Sequence, residues 1–397
     1  MRTDDQPTLI LIGNGPGEIA GWVLPIARAL RERAGAALRL VLILPPSQFS
    51  SGGEKRIAAA SGLFDEIVPP AHAVRLALGW GALSLPRPAA LLHLGGDLWV
   101  SRRLAARWGI PAFAYAETTL IARHQRAFTR IFVAAEAVAA RLTAAGVDPS
   151  RLFVSGDPRL DGLPRRDSAA GRGRLHTVLL AGSRERFFRL LLPLWAETAV
   201  ALRALAPEIS LTVAASPHLP VERVEEALAP WREPFARASI HFRLVEAPEV
   251  MAEADLVITI PGTTTMQVAA APVAALVVVP LQSIGGVPTE GLWQWLLSIP
   301  LLGPALKRAL APGYIRRQAF VSLPNRLTGR AILPEVIGRI EPAALAQTAA
   351  ALLEDPAARR RMEVALAEAA GPRGAAARIA DQMLAAVGVE RSPVTVQ

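Results

Sequence analysis

The 397-residue chain contains 52% hydrophobic and 19% charged residues, a balance that excludes a disordered protein and gives enough length for two domains. It has no cysteine, which excludes disulfides, thiolate zinc sites and a cysteine nucleophile. The formal net charge of +9 favours anionic partners, but the arginines are dispersed and do not alternate with aromatic residues, so nucleic acid is not expected.

Neither a signal peptide nor a membrane-spanning helix is predicted. Residues 1–7 are polar and acidic and lack the basic start and apolar stretch of a signal peptide. The most apolar region, residues 268–310, is interrupted by five prolines, whereas a spanning helix needs about 20 unbroken apolar residues. We therefore expect a cytoplasmic protein.

Short apolar runs alternate with helical patterns along the chain, as in parallel α/β layers. In the first half, strands are predicted over 8–12, 38–44, 90–94, 112–115, 130–133 and 152–154. Helices are predicted over 21–32 and 135–145, and the second ends at Gly146, a residue typical of helix termini.

A glycine- and arginine-rich stretch without apolar periodicity, residues 165–174, predicts a domain linker. Beyond it, strands are predicted over 177–180, 211–214, 241–245, 256–260 and 275–279, and helices over 342–353, 357–369 and 374–387. We therefore expect an α/β protein with Rossmann-like α/β/α domains over 1–165 and 175–370. A C-terminal helix within 371–390 is expected to pack back on the first domain. Two such domains facing a cleft suit a ligand bound beyond the carboxyl ends of the strands.

A glycine-rich loop, residues 13–21, follows the first predicted strand and precedes a helix. Its glycines, including Gly15, Gly17 and Gly21, allow a ligand to approach the start of the helix closely. The spacing differs from the dinucleotide fingerprint, and a purely structural turn is the alternative interpretation.

Asp97 follows two glycines at the end of another predicted strand. A carboxylate at that position can face the ligand and act as a general base toward a hydroxyl group. Aspartate is also a favoured N-cap residue, and the sequence alone leaves the two roles open.

Two turns in the second half combine glycine with hydroxyl groups after a predicted strand. The first is Gly182-Ser183-Arg184 and the second is Gly262-Thr263-Thr264. Such turns before a helix can hold a diphosphate, although each one alone is equally typical of a capped helix. The six histidines show no metal-ligand spacing, so we expect no metal site.

Together these motifs resemble the lipid-A-disaccharide synthase family of GT-B glycosyltransferases. The most specific match is the segment 321–330, which resembles the SLPN…GR segment of that family. Residues 180–184 are similar to its LPGSR turn, residues 17–21 to its GExxG loop and residues 156–161 to its GHPxxD segment. Asp97 falls where the family has an essential aspartate.

The resemblance implies an inverting, metal-independent transfer of a sugar, of the N-acetylglucosamine type, from a UDP-sugar to a lipid-linked acceptor. The UDP-sugar is a substrate, and no cofactor is expected. Acceptor binding is assigned to the first domain, where Asp97 would be the base and Glu18 a second catalytic residue. In the second domain, the donor would be held by Gly182, Ser183, Arg184, Gly262, Thr263, Thr264, Gln267 and Asn325.

Several positions depart from the family pattern. Gln267 stands where related enzymes have a glutamate that binds the ribose, and Trp22 replaces the aspartate that ends the glycine loop. The tryptophan-rich stretch expected after Tyr115 is absent, and residues 282–317 form a longer segment than expected.

A membrane-facing segment is predicted at Trp293, Trp295, Leu296 and Leu297, because paired tryptophans flank an apolar stretch that is followed by lysine and arginine. This predicts peripheral association with the inner face of the cell membrane. A buried helical hairpin is the alternative. A UDP-N-acetylglucosamine 2-epimerase-like enzyme and a non-catalytic membrane-associated protein of the same fold are the competing functions.

Overall fold

The computed structural model describes residues 6–46, 53–164, 173–182, 184–282 and 319–389. The chain divides into two units, of which unit 1 comprises residues 1–161 with 370–397 and unit 2 comprises residues 162–369. The membrane-facing segment predicted around Trp293 and most of the predicted linker lie outside the described residues.

Unit 1 contains a seven-stranded parallel sheet in the order β3-β2-β1-β4-β5-β6-β7. Its strands are β1 Thr8–Ile12, β2 Arg39–Ile43, β3 Glu66–Val68, β4 Ala89–His93, β5 Ala112–Tyr115, β6 Arg130–Val133 and β7 Leu152–Val154. The inner strands are apolar throughout because helices cover both faces of a parallel sheet, and every residue of β1 and β4 is buried.

The helices of unit 1 follow the strands in the βαβ pattern. The α-helices are Pro16–Glu18, Leu24–Ala34, Glu54–Ala60, Pro70–Leu78, Leu98–Trp108, Glu136–Ala144 and Ala375–Ala386. A π-helical turn, Ile19–Val23, joins the first two. Short 3-10 helices are Gly35–Ala37, Thr119–Ala127, Pro149–Arg151 and Pro158–Leu160.

The last helix among the described residues, Ala375–Ala386, belongs to unit 1 and packs against Leu24–Ala34. The carboxylate of Asp161 accepts hydrogen bonds from the backbone amides of Gly374 and Ala376, at 2.8 and 2.7 Å. Since the first amides of a helix have no partner within the helix, Asp161 supplies their acceptor from a distant part of the chain.

Unit 2 contains a six-stranded parallel sheet in the order β10-β9-β8-β11-β12-β13. Its strands are β8 His176–Leu180, β9 Ser210–Ala215, β10 Ile240–Leu244, β11 Leu256–Thr259, β12 Ala274–Pro280 and β13 Glu335–Gly338. The α-helices are Glu185–Leu205, Val221–Leu228, Arg232–Arg237, Ala247–Ala252, Thr263–Ala270, Leu323–Thr328, Pro342–Glu354 and Pro356–Ala370, with a 3-10 turn at Ala229–Trp231.

The core of unit 2 lies between its sheet and the long helix Glu185–Leu205. Trp195 is fully buried there, and its indole Nε1 donates to the carbonyl of Leu180 at 2.9 Å. Burying a tryptophan with its one polar atom satisfied contributes a large apolar area without a polar penalty. This fixes the long helix against the end of β8, where a predicted site residue follows.

The predicted class, two parallel α/β/α domains, is confirmed. Two edge strands, β3 and β13, were not predicted because both are short and begin with a glutamate, so neither shows an apolar run. Within the described residues, no helix is both long enough and apolar enough to cross a membrane.

Candidate active site

Most of the predicted catalytic and donor-binding residues follow the two central strands of each sheet, and Asn325 is the exception. In unit 1, β1 pairs with β4, and the chain continues from them in opposite directions across the sheet. In unit 2, β8 pairs with β11 in the same way. Such a switch point leaves a crevice outside the carboxyl ends of its strands, which is where open α/β sheets bind ligands.

Glu18 lies over the backbone of Gly95, between the two loops of this crevice in unit 1. Its Oε2 accepts from the amide of Asn14 at 2.8 Å, and its Oε1 from that of Gly96 at 3.4 Å. A β-carbon on Gly95 would lie 2.0 Å from the carboxyl carbon of Glu18, so only glycine allows this approach. Burial raises the pKa of Glu18, partly offset by the amide hydrogen bonds, and a carboxyl with a raised pKa suits proton transfer near neutral pH.

Asp97 is the N-cap of helix Leu98–Trp108. Its Oδ1 accepts from the amide of Trp99 at 2.8 Å, and its side chain is exposed at the carboxyl end of β4. The capping role is therefore present, and the second carboxylate oxygen leaves the role of base open as well.

His93, the last residue of β4, lies beneath Asp97 in the core. Burial lowers the pKa of His93 to about 4, against a smaller opposing effect of the Asp97 charge. Its Nδ1 lies 2.8 Å from the Ser101 hydroxyl oxygen. The imidazole is therefore neutral in the folded protein at neutral pH.

This burial predicts an acid-dependent loss of stability. Between about pH 6.5 and pH 4 the unfolded chain takes up a proton at His93 and the folded protein does not, so the free energy of unfolding falls by about 3 kcal/mol as the pH falls. Denaturant unfolding at several pH values should show a shallower decline in His93→Gln than in wild type. His218→Gln, a change at a side chain that is 82% exposed, is the control and should follow wild type. Equal declines in all three proteins would contradict the prediction.

Trp22 and Asp157 meet in a buried cluster beside the glycine loop, although 135 residues separate them. The indole Nε1 of Trp22 donates to Asp157 Oδ1 at 3.3 Å, and its ring contacts Tyr115 at a centroid distance of 5.3 Å. The guanidinium of Arg159 lies 5.0 Å from the Trp22 ring centroid and pairs with Asp157 and Glu117. Burial alone would lower the pKa of Arg159, but these two carboxylates raise it, so the guanidinium stays charged.

The cluster gives Trp22 a structural role at a position where the sequence departs from the resembled pattern. Its indole is held by the carboxylate of Asp157, which lies in the segment after β7. A hydrogen bond between Trp22 and Asp157 therefore joins the glycine loop to the segment after β7.

The packing of Arg159 on Gly21 gives a direct test. A β-carbon on Gly21 would lie 2.5 Å from Arg159 Cγ, within a cluster that has little room to move. Gly21→Ala should lower the free energy of unfolding by about 1–3 kcal/mol. Gly17→Ala, in the same loop with nothing within 4 Å of the added carbon, is the matched control for thermal unfolding. Equal melting temperatures for the two variants would show that the loop shifts freely.

In unit 2, the two glycine turns lie side by side because they follow paired strands. Gly182 follows β8 with φ +94°, and Gly262 follows β11 with φ +148°, conformations that favour glycine. Arg184 is exposed at the start of helix Glu185–Leu205. Thr264 and Gln267 are partly exposed in the helix that Gly262 begins. Ser183 and the side chain of Thr263 lie outside the described residues.

The 321–325 segment is attached to the Gly262 turn. The amide of Leu323 donates to the Thr265 hydroxyl at 3.2 Å, and that hydroxyl donates to the carbonyl of Gly262 at 2.7 Å. The structure thus brings together three motifs that are far apart in the sequence. The Gly182 turn, the Gly262 turn and the 321–325 segment are therefore neighbours within unit 2.

The side chain of Asn325 is a positioning group and cannot be the direct donor contact that the sequence predicted. It is fully buried, and its Oδ1 accepts from the amides of Ile332 and Leu333, both at 2.9 Å. Its Nδ2 donates to the carbonyl of Leu333 and to Glu335 Oε1, at 2.8 and 2.9 Å. Every hydrogen-bonding position of the amide is therefore used within the protein.

Glu335 is the residue that sequence reasoning missed. Its carboxylate accepts from the amides of Val321 and Ser322, both at 2.9 Å, and from the Ser322 hydroxyl at 2.6 Å. Together with Asn325 it fixes the whole 321–325 segment. A lone glutamate at the start of a short edge strand gives no signal in the sequence, since its partners lie at least ten residues away.

Comparisons with known proteins agree with this arrangement. Over 320 residues the chain is 28% identical to the lipid-A-disaccharide synthase of Anaeromyxobacter dehalogenans (strain 2CP-1 / ATCC BAA-258), and the alignment covers 75% of each chain. No family model matches the chain.

Among solved structures, MurG of Acinetobacter baumannii is similar over 96% of this chain and 99% of its own, with a TM-score of 0.59 and 16% identity. A protein of Listeria monocytogenes described as a UDP-N-acetylglucosamine 2-epimerase is similar over 97% of this chain and 96% of its own, with a TM-score of 0.53 and 16% identity. At these identities the likeness shows the fold alone.

The two parallel sheets, with loops gathered at their switch points, define the GT-B fold. The sequence comparison narrows this class further. Within that fold, the sequence of the chain is similar to lipid-A-disaccharide synthases.

Proposed function

We propose that the protein transfers a sugar, of the N-acetylglucosamine type, from a UDP-sugar to a lipid-linked acceptor with inversion and without a metal ion. The observation that carries this proposal is that four predicted motifs follow the strands of the two switch points. The glycine loop and Asp97 follow β1 and β4 in unit 1, and the Gly182 and Gly262 turns follow β8 and β11 in unit 2.

The donor is assigned to unit 2. The Gly182 and Gly262 turns each present the start of a helix at the carboxyl ends of paired strands, and helix N-termini stabilise phosphate groups. Arg184 would stabilise the negative charge that develops on the departing diphosphate. Gln267, in the helix that begins at the Gly262 turn, would hydrogen-bond the ribose through its amide.

The acceptor is assigned to unit 1. Asp97 would remove the proton from the attacking hydroxyl, and Glu18, whose pKa is raised by burial, would hold or pass on that proton. Asn14 supports the presence of a ligand here. Its Oδ1 is buried and has no hydrogen-bond partner among the described residues, and a substrate hydroxyl would satisfy it.

An epimerase acting on a UDP-sugar is the second candidate, because the fold is shared with a protein described in that way. The sequence relatives favour transfer, since the four with significant similarity are all named lipid-A-disaccharide synthases. A screen of UDP-sugars with a membrane lipid extract separates the two. Transfer yields a new glycolipid and free UDP, whereas epimerisation leaves the nucleotide attached to an altered sugar.

Metal-free donor binding is tested by calorimetry with UDP in excess chelator. Wild type should bind, and Arg184→Ala should bind at least about tenfold more weakly, because a hydrogen bond to a charged group contributes about 1.5–3 kcal/mol. Arg189→Ala, about one helical turn further on and also exposed, is the control and should bind as wild type does. UDP binding that appears only after magnesium is added would contradict the metal-free mechanism.

A further inference from the structure

Unit 1 carries a surface on which arginines and large apolar side chains are exposed together. We call it the arginine face, and it consists of Trp80, Trp99, Arg102, Arg103, Arg107 and Leu120. We propose that the arginine face docks the protein on membranes that contain anionic phospholipid. The inference rests on the proposed function, in which the acceptor is lipid-linked, and it assigns the docking to residues different from the segment around Trp293.

The centre of the arginine face is the outer side of helix Leu98–Trp108. Trp99, Arg102, Arg103 and Arg107 are all exposed, whereas Leu104 is fully buried against the sheet. Their spacing of three and four residues places the four exposed side chains in one stripe along the helix. A surface that combines arginine with tryptophan can contact both the anionic head groups and the apolar boundary of a membrane.

Neighbouring segments extend this stripe at both ends. Near the end of the helix, the guanidinium of Arg107 lies over Gly79 and donates to the carbonyl of Gly81, next to Trp80, which is 73% exposed. Nearer the start, Arg102 lies 2.9 Å from His124 of the 3-10 helix Thr119–Ala127. That segment presents Leu120, which is 67% exposed.

The positive charge of this region is not neutralised by its own carboxylates. Residues 70–130 contain eight arginines but only two acidic residues, Asp97 and Glu117. The first caps its helix and the second pairs with Arg159. Among the described residues, no carboxylate lies within 4.0 Å of the guanidinium groups of Arg102, Arg103 and Arg107.

The combination of arginines and exposed apolar side chains indicates which kind of partner this surface binds. A polyanion such as nucleic acid would use the arginines but leave Leu120 and Trp80 in water, whereas a lipid surface satisfies both groups. Tryptophan is enriched at the boundary between head groups and acyl chains, and arginine pairs with lipid phosphates. The surface therefore fits an anionic membrane better than a nucleic acid.

The position of the face relates docking to catalysis. The N-cap of the same helix is Asp97, the proposed base, and Trp99, which is 41% exposed, lies only two residues further along the chain. A helix that rests on the membrane by its outer side would hold its N-cap near the head groups. A hydroxyl on a lipid-linked acceptor could then reach the base without leaving the membrane.

Vesicle co-sedimentation of the full-length protein tests the proposal. Wild type should sediment with vesicles that contain phosphatidylglycerol and remain in solution with phosphatidylcholine vesicles. The triple variant Arg102→Gln, Arg103→Gln, Arg107→Gln should partition roughly 100-fold more weakly, because each basic residue near an anionic surface contributes about fivefold. The pair Trp80→Ser, Trp99→Ser should reduce quenching of tryptophan fluorescence by brominated lipid.

The control removes the same charge elsewhere. Arg339→Gln, Arg360→Gln, Arg361→Gln changes three exposed arginines of unit 2 and should sediment as wild type does. The proposal would be overturned if wild type does not sediment with anionic vesicles or if the triple arginine variant sediments as wild type does. Selective binding of wild type to an oligonucleotide would also overturn it. UDP calorimetry is performed on every variant in parallel, because UDP binding tests the proposed donor site independently of the membrane.

Discussion

Asp97→Asn should reduce the turnover number of sugar transfer by about 10²–10⁴-fold, the usual contribution of a general base. This substitution separates the catalytic role of Asp97 from its structural role. Asp97 also caps helix Leu98–Trp108 by accepting from the amide of Trp99, and asparagine is as good an N-cap as aspartate. The variant therefore keeps the helix and loses only the basic carboxylate.

The measurement is the initial rate of glycolipid formation with the donor and acceptor found in the lipid-extract screen. Asp97→Ala provides the complementary control, because it removes both functions and should lower the free energy of unfolding by about 1 kcal/mol as well. A folded Asp97→Asn protein that retains nearly full turnover would end the assignment of Asp97 as base. Glu18 would then be the next candidate for the base among the described residues.

Asn325→Ala should produce the largest loss of stability among the substitutions considered for unit 2. It leaves the amides of Ile332 and Leu333 without their acceptor and removes a donor from Glu335, all in a buried network. Each unsatisfied buried group costs about 1–3 kcal/mol, so the free energy of unfolding should fall by about 3–5 kcal/mol. UDP binding should weaken as a consequence, because the network also holds the segment attached to the Gly262 turn.

Hydrogen exchange gives the sharpest readout of this effect. The amides of Ile332 and Leu333 should lose protection in Asn325→Ala before the rest of unit 2 does. Thr328→Val, which removes one side-chain hydrogen bond from the same short helix, is the matched control and should change stability by roughly 1 kcal/mol or less. Equal protection of the two amides in both variants would show that Asn325 is not the organising residue.

Much of the fold could be predicted because the buried parallel strands appear in the sequence as continuous apolar runs. Strands such as β1, β5 and β6 were predicted with the bounds that the structure has. The edge strands β3 and β13 could not be, because both are short and begin with a glutamate, whereas the other two edge strands, β7 and β10, were predicted.

The site was predictable only in its outline. Turns that follow a strand can be recognised from glycine and hydroxyl residues, and their proximity then follows from the strand order. The contacts of Trp22 with Asp157 and of Asn325 with Glu335 depend on tertiary structure that no local pattern reveals. For that reason the sequence assigned Asn325 to the ligand, when its amide is in fact used by the protein.

The return of helix Ala375–Ala386 to unit 1 has a consequence for biosynthesis. Unit 2 is encoded as one uninterrupted stretch, whereas unit 1 needs its final helix, which is capped by Asp161. The chain emerges from the ribosome with its N-terminus first. All residues of unit 2 are therefore available to fold before the final helix of unit 1 has been made. Until residues 375–386 have been translated, the nascent first unit exposes the surface of helix Leu24–Ala34 that they cover, and in that interval the exposed apolar surface favours aggregation.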